Sequence, residues 1–519
     1  MKELRNNYWQ FVIGNLARFG LSALLGIVLV GESVSAVPKS AGVEIAQQGA
    51  IDNKEEIRQR AKQIFAEGMQ LSKQGTVESR QQAIKKYEEA LTLFQQVDYK
   101  LGKALTFSAI ASLYDNSGEK LKALDYYNQA ITLWQELKNL ELQYDNLNAI
   151  GDVYSNSGAK QKALDYYKQA LTLSQQIPDR QLEAETITGI ARIYHDLGEN
   201  QKALSSFHRV LTLFQQLKNK RWQATILNNI GVVYSNLGEQ QKAVDYYNQA
   251  LTLLKDVEHK SKEAITLHNI AKTQRDKGNL QQALTNSKAA VNIIENLRTK
   301  VDSNELRTSY FATVQDIYKL HIDILMQLHK QNPSKGYNAQ ALAASEKSRA
   351  RGLLELLTEA NADIRKGVNP QLVAQEKRLQ QLINSKEKLR LEILSDKNKS
   401  DDLISKAAAQ RFKKEVQNHI NELNQLQTKI KTTSPKYAQL KYPEPLDLAK
   451  IQQQLDKNTV LLQYSLGEKR SYLWKVTPDS LDSYELPKSE QIETVAKKLR
   501  NLLQDPSIQN RSIEETNKS

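Results

Sequence analysis

The sequence predicts an all-α protein: a right-handed superhelical solenoid of helix pairs, followed by a helical hairpin or coiled coil and a short, incomplete α/β segment. Three observations carry this. Ala83, Ala123, Ala163, Ala203, Ala243 and Ala283 recur every 40 residues without a slip. Gly118, Gly158, Gly198, Gly238 and Gly278 stand five residues before each later alanine. Between them, apolar residues recur at helical spacing, as at Ile226, Leu227, Ile230, Val233 and Tyr234. A fixed period of this length is the mark of a stacked array in which one unit cannot bury both of its faces.

In chain order, Lys2, Arg5 and Arg18 precede an apolar run from Phe19 to Val30, and Val34-Ser35-Ala36 offers small residues for cleavage. The run is too short to span a bilayer as a helix, so residues 1–36 read as a cleavable export signal, with an uncleaved membrane anchor as the alternative. Residues 37–59 read as a polar linker. Six units then occupy 60–300. In each, glycine ends a first helix because it takes the left-handed conformation at no steric cost. A second helix follows, as in QQKAVDYYNQALTLLK, with Ala243, Val244, Tyr247, Ala250, Leu251 and Leu254 on one face. The alanines let neighbouring helix axes approach closely. The first unit departs, with Gly75 early and Val77-Glu78-Ser79 inserted, as in a capping repeat. The last departs by placing Ser287 at the aromatic position of the second helix.

Residues 301–360 read as a helical extension, and 361–433 as an antiparallel hairpin or coiled coil split at SDKNKSDD, with Val416, Ile420, Leu423 and Ile430 near heptad spacing. Beyond Ser434-Pro435 the composition turns to strands: VLLQYS and SYLWKV flank LGEKR as a β-hairpin, Ser483–Leu486 adds a third strand, and Ile492–Leu503 forms a helix.

The units, exemplified by LNAIGDVYSNSGAKQKALDYYKQALTL, resemble the tetratricopeptide repeat in a long variety with a period near forty. The resemblance implies a protein or peptide partner held on the face lined by first helices. One column of that face reads Ser108, Asn148, Thr188, Asn228 and His268. Asparagine offers both a donor and an acceptor to an extended main chain, and Asn148 and Asn228 match the asparagine ladders known from long-period relatives. They are the candidate peptide-binding residues; a solvated or interhelical polar column is the alternative.

Farther on, SEKSRARGLLELL, SPKYAQLKYPEPLDLAKIQQQL and NTVLLQYSLGEKRSYLWKVT resemble the bacterial CHAT family, in which a caspase-like protease domain follows a tetratricopeptide array. The resemblance covers about 340–505 and implies that 434–519 is the opening part of such a domain, truncated. It also implies a catalytic histidine–cysteine dyad, and no position here inherits either role. The last histidine is His419 and the chain has no cysteine.

That absence excludes disulfides, thiolate metal sites and a cysteine nucleophile in this chain. The formal charge of +13 is spread along the chain without a basic block, and its charges alternate along helices, so a nucleic-acid partner is not expected. The seven histidines show no metal-ligand spacing. No phosphate loop, serine-hydrolase elbow or zinc-protease motif is present, and no cofactor is expected. The expectation is therefore an exported, non-catalytic interaction scaffold, with a truncated or decoy member of the caspase-like family as the alternative.

Overall fold

The computed structural model describes residues 41–298, 304–359, 369–395, 403–435, 437–438 and 446–504. The export signal expected over residues 1–36 lies outside them. Eighteen α-helices and one small sheet are found among the described residues. The chain divides into two compact units, residues 1–253 with 303–310, and residues 254–302 with 311–519.

The first unit is built from helix pairs: α1 (Ala41–Gln74) with α2 (Val77–Gln96), α3 (Lys100–Asn116) with α4 (Lys120–Glu136), α5 (Leu140–Asn156) with α6 (Lys160–Ser174), α7 (Arg180–Asp196) with α8 (Asn200–Gln216), and α9 (Lys220–Asn236) with α10 (Gln240–Asp256), whose last turn passes into the second unit. One expectation is corrected here. The polar linker proposed for 37–59 is helical from Ala41, where α1 begins. Ala, Glu, Gln, Ile and Lys dominate that stretch, and good helix formers on a helix already anchored downstream extend it at little cost. The inserted Val77-Glu78-Ser79 likewise lengthens a helix instead of a loop. Thr76 caps α2 by accepting from the Ser79 amide at 3.0 Å, while Ser79 Oγ accepts from the Thr76 amide at 3.1 Å.

Two kinds of turn alternate. Within pairs, Gly118, Gly158, Gly198 and Gly238 take φ of 77° to 81°. There the amide after each glycine returns to the carbonyl of the tyrosine four residues before it, as Glu119 does to Tyr114 at 2.9 Å. Between pairs the same left-handed position is held by Asp98 and Lys138, at φ of 49° and 53°, and by Lys218 at 52°. Position 178 breaks this series because it is proline, whose ring fixes φ near −65°. Accordingly α6 stops two residues before its counterparts, and Asp179 caps α7 by accepting from the Gln181 amide.

The core of each pair is a ring in a notch. The Tyr167 ring lies where a Cβ on Gly151 would come within 2.7 Å of it, and Tyr247 stands likewise against Gly231 at 2.6 Å. Ala111 with Tyr127 and Ala191 with Phe207 repeat the arrangement with one methyl more. A small residue on the first helix and an aromatic one sixteen residues later are thus a single packing device.

In the second unit, α11 (Lys260–Asp276) and α12 (Leu280–Arg298) form the sixth pair, followed by α13 (Asn304–Gln331) and α14 (Tyr337–Glu359). Gly336, at φ 67°, lets the chain reverse between α13 and α14 after a single 3-10 turn at Pro333–Lys335. Next, α15 (Pro370–Ser395) and α16 (Leu403–Thr433) make the hairpin. Leu379, Ile383, Val416, Ile420, Leu423 and Ile430 are buried along its seam, as the heptad spacing requires.

After the short α17 (Leu448–Gln454), β1 (Leu461–Ser465), β2 (Ser471–Val476) and β3 (Leu481–Leu486) form an antiparallel sheet in the order β1-β2-β3, with Gln463 opposite Trp474 and Trp474 opposite Ser483. One face packs Tyr472, Trp474 and Val476 on Ile322, Leu325, Ala341 and Leu342 of α13 and α14. The other face leaves Leu462, Tyr464 and Tyr484 exposed. The final helix α18 (Ser489–Gln504) exposes Val495, Leu499 and Leu502.

Candidate functional site

The face of the first helices is set by the 40-residue period. Helical geometry places positions 145, 148 and 152 of α5, 185, 188 and 192 of α7, and 225, 228 and 232 of α9 along one stripe each. The predicted ladder residues do not stand alike. Asn148 is only 7% exposed, and its amide is engaged: Nδ2 donates to the Tyr144 carbonyl at 3.4 Å, and Oδ1 lies 3.3 Å from the Thr186 hydroxyl. Thr186 is also 3.0 Å from the Tyr144 hydroxyl, which donates to the Leu182 carbonyl at 2.8 Å. Asn148 therefore belongs to a buried polar relay joining α5 to α7. Thr188, also buried, donates to the Ala184 carbonyl of its own helix. Ser108 sits between the Trp134 indole N–H and Asn146. Asn228 is half-buried. In the second unit, His268 is kept neutral, its pKa lowered to about 4 by burial first and then by Lys272 and Arg275.

The groups that give the stripe its electrostatic character lie one turn to either side of the predicted column. Asp145 and Glu185 occupy equivalent positions on α5 and α7 and are half-buried. Burial raises the pKa of each to about 7, with Glu141 adding to the effect at Asp145, and Asp179 and Asp145 at Glu185, partly offset there by the Gln181 amide. One turn beyond Asn148, Asp152 accepts from the Tyr167 hydroxyl at 2.6 Å, tying the stripe to the ring in the notch. Arg192 holds the equivalent place on α7. The signal is present in the sequence as a second period-40 column, Leu105, Asp145, Glu185, Thr225.

Outside the stripe, a ladder of cations on rings repeats along the turns: Lys122 over Tyr114 at 4.9 Å, Lys162 over Tyr154 at 5.3 Å, Lys202 over Tyr194 at 5.4 Å and Lys242 over Tyr234 at 5.2 Å. Each ties the start of a second helix to the end of its first. Among the described residues, no cluster of His, Asp and Glu is placed to hold a metal ion, and no helix is long and apolar enough to cross a membrane.

Comparison with known proteins decides the nature of the pairs. Tetratricopeptide repeat family profiles match residues 106–133, 144–177 and 182–256. These helix pairs are tetratricopeptide repeats. The matched segments run from α3 to the end of α10 and take in neither α1/α2 nor α11/α12, the pairs at which the sequence pattern departs. No curated protein matches the sequence.

Among solved structures, BtubC from P. vanneervenii is 20% identical, with a TM-score of 0.38 over 44% of this chain and 92% of that one. The apo form of RapI is 18% identical, with a TM-score of 0.43 over 55% of this chain and 97% of that one. YrrB, described as a tetratricopeptide protein with an unusual peptide-binding site, is 18% identical, with a TM-score of 0.28 over 40% and 91%.

Proposed function

We propose that the chain is an exported interaction scaffold whose tetratricopeptide repeats hold a protein or peptide segment along the stripe of first helices, with no catalysis of its own. The observation that carries this reading is the stripe itself: repeats 40 residues apart present half-buried polar and charged side chains at Asp145 and Asp152 of α5, Glu185 and Arg192 of α7, and Thr225 and Asn228 of α9. Asp145 and Glu185 define the chemistry of the partner. Two partly desolvated carboxylates gain most from a cationic group brought into hydrogen-bonding range, so the bound segment carries a lysine or arginine. Asn228 serves its main chain, whereas Asn148 keeps adjacent repeats in register and acts indirectly. Residues 1–36 supply the export signal.

A peptide array probed with the purified chain tests this. Basic peptides are expected to bind, and Asp145→Asn with Glu185→Gln to weaken them by about tenfold, the equivalent of ~1.4 kcal/mol. Preference for acidic peptides, or affinity unchanged in the double variant, sinks the proposed site.

A second reading is that the chain acts as a decoy member of the caspase-like CHAT family, occupying the partners of an intact homologue. The succession of repeats, α15/α16 hairpin and strands favours it. Without cysteine the chain supplies no thiolate. Co-purification of an intact homologue's partner with this chain is the supporting result. Its failure to compete for that partner argues for the scaffold reading alone.

A further inference from the structure

We propose that a cavity in the second unit, bounded by α12, α13, α14 and the Leu446–Asp447 segment, binds a small carboxylate with a short apolar body. The cavity has a volume of about 350 Å³. It opens where the repeat pattern lapses. In α12 the aromatic position is Ser287, and one turn later the periodic leucine or isoleucine is Val291, which lines the cavity. Val291 is a carbon shorter than the leucine or isoleucine found at the equivalent place in the earlier pairs.

What lines that room is not a patched core. Lys288 of α12 and Lys347 of α14 both border it, with His321 of α13. Lys288 makes no ion pair among the described residues, and Lys347 is 3.4 Å from Glu295, whose charge is shared with the Tyr318 hydroxyl at 2.7 Å. The one carboxylate on the lining, Asp447, is exposed and engaged as the cap of α17, accepting from the Lys450 amide at 2.9 Å. Two lysines thus border a space whose remaining walls include Val291, Ala344 and Leu446. A charge pair over apolar walls selects an anionic head on a short apolar body, because the head satisfies the lysines and the body displaces water from surface that cannot hydrogen-bond it.

His321 completes the site without adding charge. Burial, and then Lys288 and Lys347, lower its pKa to about 4, so it is neutral near pH 7. Its Nδ1 is 2.9 Å from Ser287 Oγ, which also lies 3.1 Å from the Leu284 carbonyl. The Ser287 proton can therefore go to either acceptor. When it goes to Nδ1, the ring proton sits on Nε2, the nitrogen left for the cavity, and Nε2–H is a neutral donor for a carboxylate oxygen. Ser287 is what permits this choice; the equivalent position is tyrosine in four of the earlier pairs and phenylalanine in the other.

Calorimetric titration of the full chain with sodium butyrate tests the assignment. Butanol serves as the neutral analogue, and inorganic phosphate as the anion without an apolar body. Butyrate is expected to saturate near a Kd of about 1 mM, with butanol and phosphate each at least ~10-fold weaker. Lys288→Ala, an exposed position that does not threaten folding, and Lys347→Ala should each weaken butyrate about 5- to 10-fold. Val291→Phe should abolish it by filling the space, with circular dichroism reporting the fold. Lys162→Ala, in the first unit, should change nothing. Absence of saturation, butanol binding as tightly as butyrate, phosphate binding more tightly, or indifference to Lys288→Ala overturns the proposal.

Discussion

The regular pairs of the first unit and the sixth pair in the second solve the same packing problem in different ways. In α5/α6 and α9/α10 a tyrosine ring fills a glycine notch, and the packing is apolar apart from one hydroxyl. In α11/α12 the ring is gone, and a buried charge cluster is added to the apolar packing of Ala271, Leu280 and Ala283 on Leu320, Ile324 and Leu328 of α13. Arg275 donates to Asp323 at 2.9 Å, Arg470 approaches its other oxygen at 3.1 Å, and the Tyr472 hydroxyl donates to it at 2.6 Å. Burial and then the Asp323 charge push the Tyr472 pKa well above its ordinary value, so it remains a donor at any physiological pH. The difference teaches what each solution is for. Identical rings can be repeated indefinitely, whereas a carboxylate gathering groups from α11 and β2 fixes one particular non-repeating arrangement.

The comparison can be broken most severely at Asp323. Asp323→Ala leaves Arg470 and the buried Tyr472 hydroxyl without their carboxylate and leaves Arg275 with Asp276 alone, and should cost about 3–5 kcal/mol. Urea unfolding, read from the fluorescence of Trp474, should show the second unit melting early, and an unchanged midpoint would mean the charges are idle. Filling a notch should cost less: Gly231→Leu forces Tyr247 aside, for a loss of about 1–3 kcal/mol in thermal unfolding. In the sixth pair no ring fills the equivalent place.

The acid pair gives an effect of similar or smaller size with a definite sign. Asp145 and Glu185 have native pKa values raised to about 7. Between roughly pH 4 and pH 7 the folded chain therefore holds protons that the unfolded chain has lost, and stability falls as pH rises through that window. Asp145→Asn with Glu185→Gln should accordingly stabilise the protein at pH 8, on the order of 2 kcal/mol, and leave it nearly unchanged at pH 4. Denaturant midpoints at the two pH values check this, and equal shifts would remove the proposed desolvation. The smallest effect belongs to the turns. Lys138→Gly or Lys218→Gly relieves a left-handed lysine and should change stability by about 0.5 kcal/mol in its favour, whereas Gly238→Ala should lose about 1 kcal/mol.

The repeat was legible because its determinants are local and periodic: a glycine for a left-handed cap, alanines for close helix approach, and a 3–4 apolar spacing. The hairpin seam and the three strands were legible for the same reason. The asparagine column was legible as a column but not as a surface. Whether Asn148 meets solvent or Thr186 depends on how closely α5 and α7 approach, which no spacing in α5 records.

By itself, the sequence determined the period of the repeats, the turn between the two helices of each pair, which residues of those helices face inward, and that no cysteine chemistry occurs in this chain. Only the tertiary structure decided that Asn148 is spent between repeats, that Asp145 and Glu185 are partly desolvated, that Asp323 collects its partners from separate elements, and that the missing ring at Ser287 lies beside a cavity bordered by two lysines. Periodicity specifies a residue's direction on its own helix, but burial and ionisation depend on residues brought close from other parts of the chain.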